Sequence, residues 1–435
     1  MITAKKARLA AALVVTAALA GVVVNRSTGW IVRQQVSAAW SGLLPAGAIE
    51  ARAARGEARV ERLAAAHPED FPLQLAVAHR SSGPLGTEWP KDATVVARLN
   101  ALESRNPNQP LFFAATLRYL CLTRMKLDER KEQKLLEPES SKARSEWKKG
   151  VPVDAATLAE WDSAASAGER ADPTNSFFPY MRAVGLFAAH QDDRACDEIV
   201  KAGALRRYND YIVDESVGGW EVADARNGGE SGSLAKMAVS ASILLPHMAT
   251  MRAAARLAVV MAVEREQAGQ TEAGFALRHA LGRCGAQMRV DGSTFIGNLV
   301  GEAITGISRV RPGGEPPMER GKSVTGEQSA ALHVEHYKAY LTRIGHPEEI
   351  ATVDNDEAAR KTTKAMWSAT EDIGPISVRR IANLLAAWGG GVLLIGNILW
   401  VALLGACRAA CPDKAGSERA EFEPSRENRG AGVPR

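Results

Sequence analysis

Along most of the chain, apolar side chains recur at intervals of three and four residues, and this period predicts amphipathic helices. The runs are Ala51–Ala66, Pro72–Ala78, Thr94–Glu103, Leu111–Leu122, Ala155–Ala167, Phe177–Ala189, Arg194–Leu205, Leu234–Ala268 and Glu272–Met288. No set of alternating strands competes with them, so the expected class is all-α. Two further stretches, Leu9–Val24 and Leu384–Ala406, are apolar without any period and carry no charge.

The C-terminal stretch, LLAAWGGGVLLIGNILWVALLGA, is long enough at ~1.5 Å per residue to cross a hydrocarbon core of about 30 Å, and it reads as a transmembrane helix. Within it, Ala386 with Gly390 and Ala387 with Gly391 place small residues four apart, a spacing that lets two copies pack closely as a homodimer in the bilayer. The N-terminal stretch follows Lys5, Lys6 and Arg8 and contains Ala18-Leu19-Ala20, so it fits either an uncleaved anchor or a cleaved export signal. Both put the central region outside the cytoplasm, because the basic cluster stays inside. The expected location is therefore a cell membrane, of the bacterial inner-membrane kind, with an extracytoplasmic central domain.

The resulting map is a signal or anchor over 1–29, a helical repeat-like domain over 30–310 and a linker over 311–327. A helical hairpin or stalk follows over 328–380, then the membrane helix over 381–407 and a polar tail over 408–435 that is expected to be disordered. The linker is drawn at RPGGEPPMERGKSVTGE because glycine and proline crowd there.

Within the helical region one punctuation recurs: Pro68, Pro107 and Pro173 each close one helix and open another a few residues later. A second pattern spaces small and branched residues after a turn, as Ala195, Ile199 and Ala202, and again as Ala273, Leu277 and Ala280. The segment DPTNSFFPYMRAVGLFAAHQDDRACDEIVKA resembles the tetratricopeptide family of helix-turn-helix repeats, with Ala183 and Leu186 falling where that family places a small and a larger residue on its first helix. It departs from the family at Arg182, where leucine is usual, and Pro68 and Pro107 are 39 residues apart, not about 34. The resemblance implies an irregular α-solenoid of helical hairpins whose surface holds a peptide or another protein.

Charge narrows the partners. Lysine and arginine total 54 against 50 acidic residues, a net charge of +4, and no basic patch is interleaved with stacking aromatics, so nucleic acid is not an expected partner. Cys121, Cys196 and Cys284 are odd in number and widely spaced, which implies no disulfide framework. Cys407 and Cys411 lack a second ligand pair for a metal.

Catalytic signatures are sparse. His333, Glu335 and His336 lie within one turn and could contribute to a metal site if His346 joined them, the basis for an alternative reading as a metal-dependent hydrolase. Ser233 and Lys236 match Ser-x-x-Lys without its partner motifs, and Gly229–Gly232 lacks the closing glycine of a nucleophile elbow. Asp354, Asp356 and Glu357 lack the pattern of a calcium loop. No cofactor motif occurs. The expected function is a membrane-tethered protein that binds other proteins, with Phe112, Phe113, Phe178, Tyr180 and Trp220 as candidate contacts.

Overall fold

The proline punctuation closes helices as expected. In the computed structural model, which describes residues 46–79, 92–125, 127, 152–231, 236, 239–240, 243, 245–292, 294–314, 326–363 and 365, turns at 68–69, 107–108 and 173–174 each separate two helices. The helices are α1 (Ala46–Ala66), α2 (Phe71–His79), α3 (Asp92–Arg105), α4 (Pro110–Thr123), α5 (Ala155–Ala171) and α6 (Phe177–Ala188). They continue with α7 (Asp192–Ala204), α8 (Ile212–Asn227), α9 (Pro246–Gln267), α10 (Thr271–Asp291), α11 (Phe295–Ser308) and α12 (Gly326–Ile344). A last helix, α13, covers 350–363, and no strand is formed among the described residues.

Local chemistry sets several ends. Asp154 accepts hydrogen bonds from Thr157 N–H at 2.8 Å and Thr157 Oγ1 at 2.7 Å, which caps α5. Pro110 and Pro246 sit in first turns, where a missing N–H costs nothing. The α9–α10 turn uses Gly269 at φ +80°, and Gln270 N–H donates to Arg265 O at 2.8 Å to finish the helix.

Several helices adjacent in sequence pack against each other, among them α5 with α6, α6 with α7, α9 with α10 and α10 with α11, and glycines let them interlock. An added Cβ on Gly168 would lie 2.1 Å from the Phe178 ring, and one on Gly185 would lie 2.6 Å from the Trp161 ring. Each ring of one helix therefore fills the gap on the other, and Trp161 Nε1–H donates to Met181 O at 2.6 Å. Ala183, Leu186, Ala195, Ile199 and Ala202 are all buried in the α6–α7 hairpin. On α10, Leu277 and Ala280 are buried but Ala273 is exposed. The close approach is made instead by Gly274, whose added Cβ would meet Ala262 O at 2.8 Å.

Helix α9 is apolar almost all round because α4, α6, α7, α10 and α11 all pack on it. Its alanines, among them Ala253, Ala254, Ala255 and Ala258, admit these neighbours closely. Helix α8 leaves the sequence order and returns to α1 and α2, where Val60, Leu73 and Val222 form a small core. Gly218 makes that crossing feasible, since a Cβ there would lie 2.0 Å from Pro72 O.

A buried polar network holds the loop before α8. His247 Nε2 lies 3.3 Å from Asp210 Oδ2, Tyr208 O–H donates to the same oxygen at 3.3 Å, and Arg118 donates to Asp210 O and to Glu215 Oε2. His79 Nδ1 is 2.8 Å from Glu215 Oε1. Burial pushes the His247 imidazole down from its usual value, against the pull of Asp210. Burial would raise Asp210, but the His247 hydrogen bond and the Arg118 charge hold the carboxyl below the usual range. Glu215, likewise opposed by burial, is drawn down to about 2 by Arg118 and then His79.

The chain divides into two compact units, Met1–Asp356 and Glu357–Arg435. Pro312 is buried in a short 3-10 turn against α9, so the start of the expected linker belongs to the first unit. Nor is the start of the expected stalk separate: Val334, Tyr337, Tyr340, Leu341 and Val353 share a core with Phe275 of α10. Among the described residues no helix is long and apolar enough to cross a membrane. Both end stretches, with Ala386, Ala387, Gly390 and Gly391, lie outside the described residues, as do Cys407, Cys411 and the tail.

Candidate functional site

Helix α10 carries Phe275, His279, Gly282, Arg283 and Ala286 along one side, spaced so that they form a continuous strip. Facing it are Tyr337 of α12 and Glu349, Thr352, Val353 and Asp356 at the start of α13. Between them lies a cavity of about 60 Å³. Gly282 helps keep it open, since any larger residue there would project a side chain toward Ser308, whose Oγ would be 3.2 Å from the added Cβ.

The walls are held by stacked rings. Phe275 lies 5.7 Å from His279 at 29° and 4.1 Å from His346 at 19°. His346 is fixed in turn by Glu348 at 3.0 Å and Glu272 at 3.2 Å, and these hydrogen bonds raise its imidazole above the usual value. His279 Nε2 lies 3.5 Å from Glu349 Oε2.

Beneath the slot, Arg278 is fully buried and every guanidinium N–H is used. Nε and Nη2 donate to Glu266 at 2.6 and 3.2 Å, Nη1 to Ser308 O at 2.9 Å and Val310 O at 2.8 Å, and Nη2 also to Arg311 O at 3.0 Å. Glu266 also accepts from Tyr340 O–H at 3.0 Å and Gly313 N–H at 2.6 Å. This clasp joins α9, α10, α12 and the end of α11. At the far end Asp356 bridges Arg289 at 2.8 Å and Arg309 at 2.7 Å.

The slot is thus small, walled by rings and aliphatic groups, and rimmed by the exposed Arg283. A volume near 60 Å³ admits a group about as large as two water molecules, such as the end of an aliphatic side chain. With Arg278 saturated and Asp356 paired with two arginines, Arg283 and the His279–Glu349 pair are left at the rim.

The residues singled out in the sequence fall elsewhere. Phe112, Phe113, Phe178 and Tyr180 are interior. Tyr180 spends its hydroxyl on Met251 O at 3.0 Å. Trp220 is half-buried and donates from Nε1 to Lys236 O at 2.9 Å and Ser240 Oγ at 3.0 Å. His333 and His336 are half-buried on α12; Glu335 takes Lys338 at 3.1 Å, and His346 is committed to Glu272, Glu348 and Phe275. Burial, and then His336, pushes the His333 imidazole down. Among the described residues no group of three or more histidine, cysteine or acidic side chains is placed to hold a metal.

Other candidates are absorbed by ordinary pairs. Lys236 reaches Asp224 at 3.3 Å, and Asp354 pairs with Lys338 at 2.6 Å. Cys121, Cys196 and Cys284 are free and buried, and burial pushes each thiol up to about 12, which keeps it protonated and unreactive. The sequence marked Glu272–Met288 as helical but did not single out the slot residues, because the wall they face comes from α12 and α13, which no local pattern links to α10. Comparison with protein-family models, with curated proteins and with solved structures yields no match.

Proposed function

We propose that this chain is a membrane-tethered helical protein that presents its first unit outside the cytoplasm and binds a segment of another protein there, within an envelope assembly. The observation that carries this reading is the slot between α10 and the α12–α13 pair: it has apolar walls, a single cationic rim residue and the size of one inserted side chain. The tetratricopeptide-like solenoid reading draws its support from the α6–α7 hairpin, in which all five quoted positions are packed. The end stretches supply the tether, and the small-residue pairs Ala386/Gly390 and Ala387/Gly391 supply a face for self-association in the bilayer.

The test is capture of the full-length protein from native membranes after mild crosslinking, with partners identified by mass spectrometry. Ala286→Val adds two methyl groups to the slot from a half-buried position and is expected to abolish capture of a reproducible partner without lowering the melting temperature. Retention of the partner by this variant would rule out the slot, and the absence of any partner for the native chain would rule out the function.

A further inference from the structure

Helices α10 and α11 approach closely near the turn that joins them. The buried positions of α11 are Gly297, Gly301, Ile304, Thr305 and Ser308. A Cβ on Gly285 would lie 2.6 Å from Gly301 O, and a Cβ on Gly301 would lie 2.6 Å from Gly285 O. Large side chains do not fit where the backbones are this close, and several apolar residues beside the turn are exposed. Val290 is 76% exposed, Ile296 51%, Phe295 42% and Leu299 38%.

The tip is firmly held. Thr294 Oγ1 accepts from Gly297 N–H at 3.0 Å, Tyr208 N–H donates to Asp291 Oδ2 at 3.0 Å, and Gln287 Nε2 donates to Leu205 O at 2.5 Å. The same loop brings the exposed Arg206 beside the last turn of α10.

From this geometry we infer that the α10–α11 tip seats in the headgroup layer of a bilayer. Val290, Ile296 and Leu299 enter the acyl boundary, while Arg206 stays among anionic headgroups. The inference rests on the proposed tether. Residues 357–383 join Asp356 to the C-terminal apolar stretch and residues 25–45 join the N-terminal one to α1, so neither connection exceeds about 100 Å fully extended. Two such connections keep the first unit at high effective concentration over the membrane. A protruding apolar turn flanked by arginine suits a deformable anionic surface, whereas the concave slot suits an inserted side chain.

The experiment places the photoreactive residue p-benzoylphenylalanine at Ile296, and in a second variant at Val290, of the full chain in nanodiscs of phosphatidylethanolamine and phosphatidylglycerol. A third variant carries it at Val213, which is 44% exposed on α8, as the control. After irradiation, lipid adducts are expected at Ile296 and Val290 and at least tenfold fewer at Val213. Equal labelling at all three positions, no adduct, or adducts to a second protein chain at the tip would overturn the inference. Incorporation into nanodiscs is read separately: a chain that fails to incorporate overturns the tether and the tip together, and one that incorporates without tip adducts overturns the tip alone.

Discussion

The first unit contains two buried ionic networks, and they are completed differently. Around Arg278 each donor has an acceptor, and Glu266 is bound from α10, α12 and the 3-10 turn. Around Asp210 the network leaves His247 Nδ1 and His79 Nε2 buried without a hydrogen bond. The neutral imidazole of His247 explains its share: Nε2–H donates to Asp210, and the bare Nδ1 lone pair faces the apolar core beside Phe177. Arginine at a site of fixed carbonyls makes a lock in which every donor is matched. Histidine in an apolar pocket makes a lock that acid loosens.

The sharpest break between the two should come from Arg278→Met. It leaves Glu266 buried without its guanidinium and three carbonyls without donors, and should cost about 3–5 kcal/mol. Chemical denaturation of the full chain in detergent, followed by circular dichroism, measures this. Hydrogen exchange at the Gly313 amide should accelerate as well, since its acceptor shifts. A loss below about 1 kcal/mol would mean that the clasp is not the lock described.

Acid should act on the other network. Unfolded, the His247 imidazole takes its proton near 6.5; folded, it does so at lower pH. Between those values the unfolded chain binds more protons, so stability is full above 6.5 and falls as pH drops, by up to ~1.4 kcal/mol per unit. Glu215 adds a second step: its contribution is present above 4.5 and is lost as pH falls toward about 2. Unfolding free energies at pH 7.5 and 5.5 test the first step, and His247→Gln, which retains a donor for Asp210, should flatten it. An unchanged slope in that variant would assign the acid sensitivity elsewhere.

The smallest effect separates the clasp's parts. Tyr340→Phe removes one hydrogen bond to Glu266 but leaves Arg278 and Gly313 in place, and should cost about 1 kcal/mol. A cost near that of Arg278→Met would show that Tyr340, not the arginine, carries the clasp.

Much of the helical content was legible in the chain. Runs such as Phe177–Ala189 and Leu111–Leu122 became α6 and α4 within a residue or two, because burial of one face and proline at the boundary act locally. Helices α8 and α11 were not anticipated. Their glycines, Gly218 in one and Gly297, Gly301 and Gly306 in the other, read as breaks in a helical period. Large rings such as Phe112 and Tyr180 suit interfaces and cores alike, and their burial became visible only in the packing.

What the sequence alone determined, then, is the helical class, the proline turns, the α6–α7 packing positions and the two apolar end stretches, all of which follow from period and composition over short spans. Tertiary structure decided the rest. Gly218 is a point of contact only because Pro72 crosses it, and Gly285 only because Gly301 lies against it. Phe275 lines a slot only because α12 and α13 pack beside it. Each of these meanings depends on a neighbour distant along the chain, and a local pattern carries no record of that neighbour.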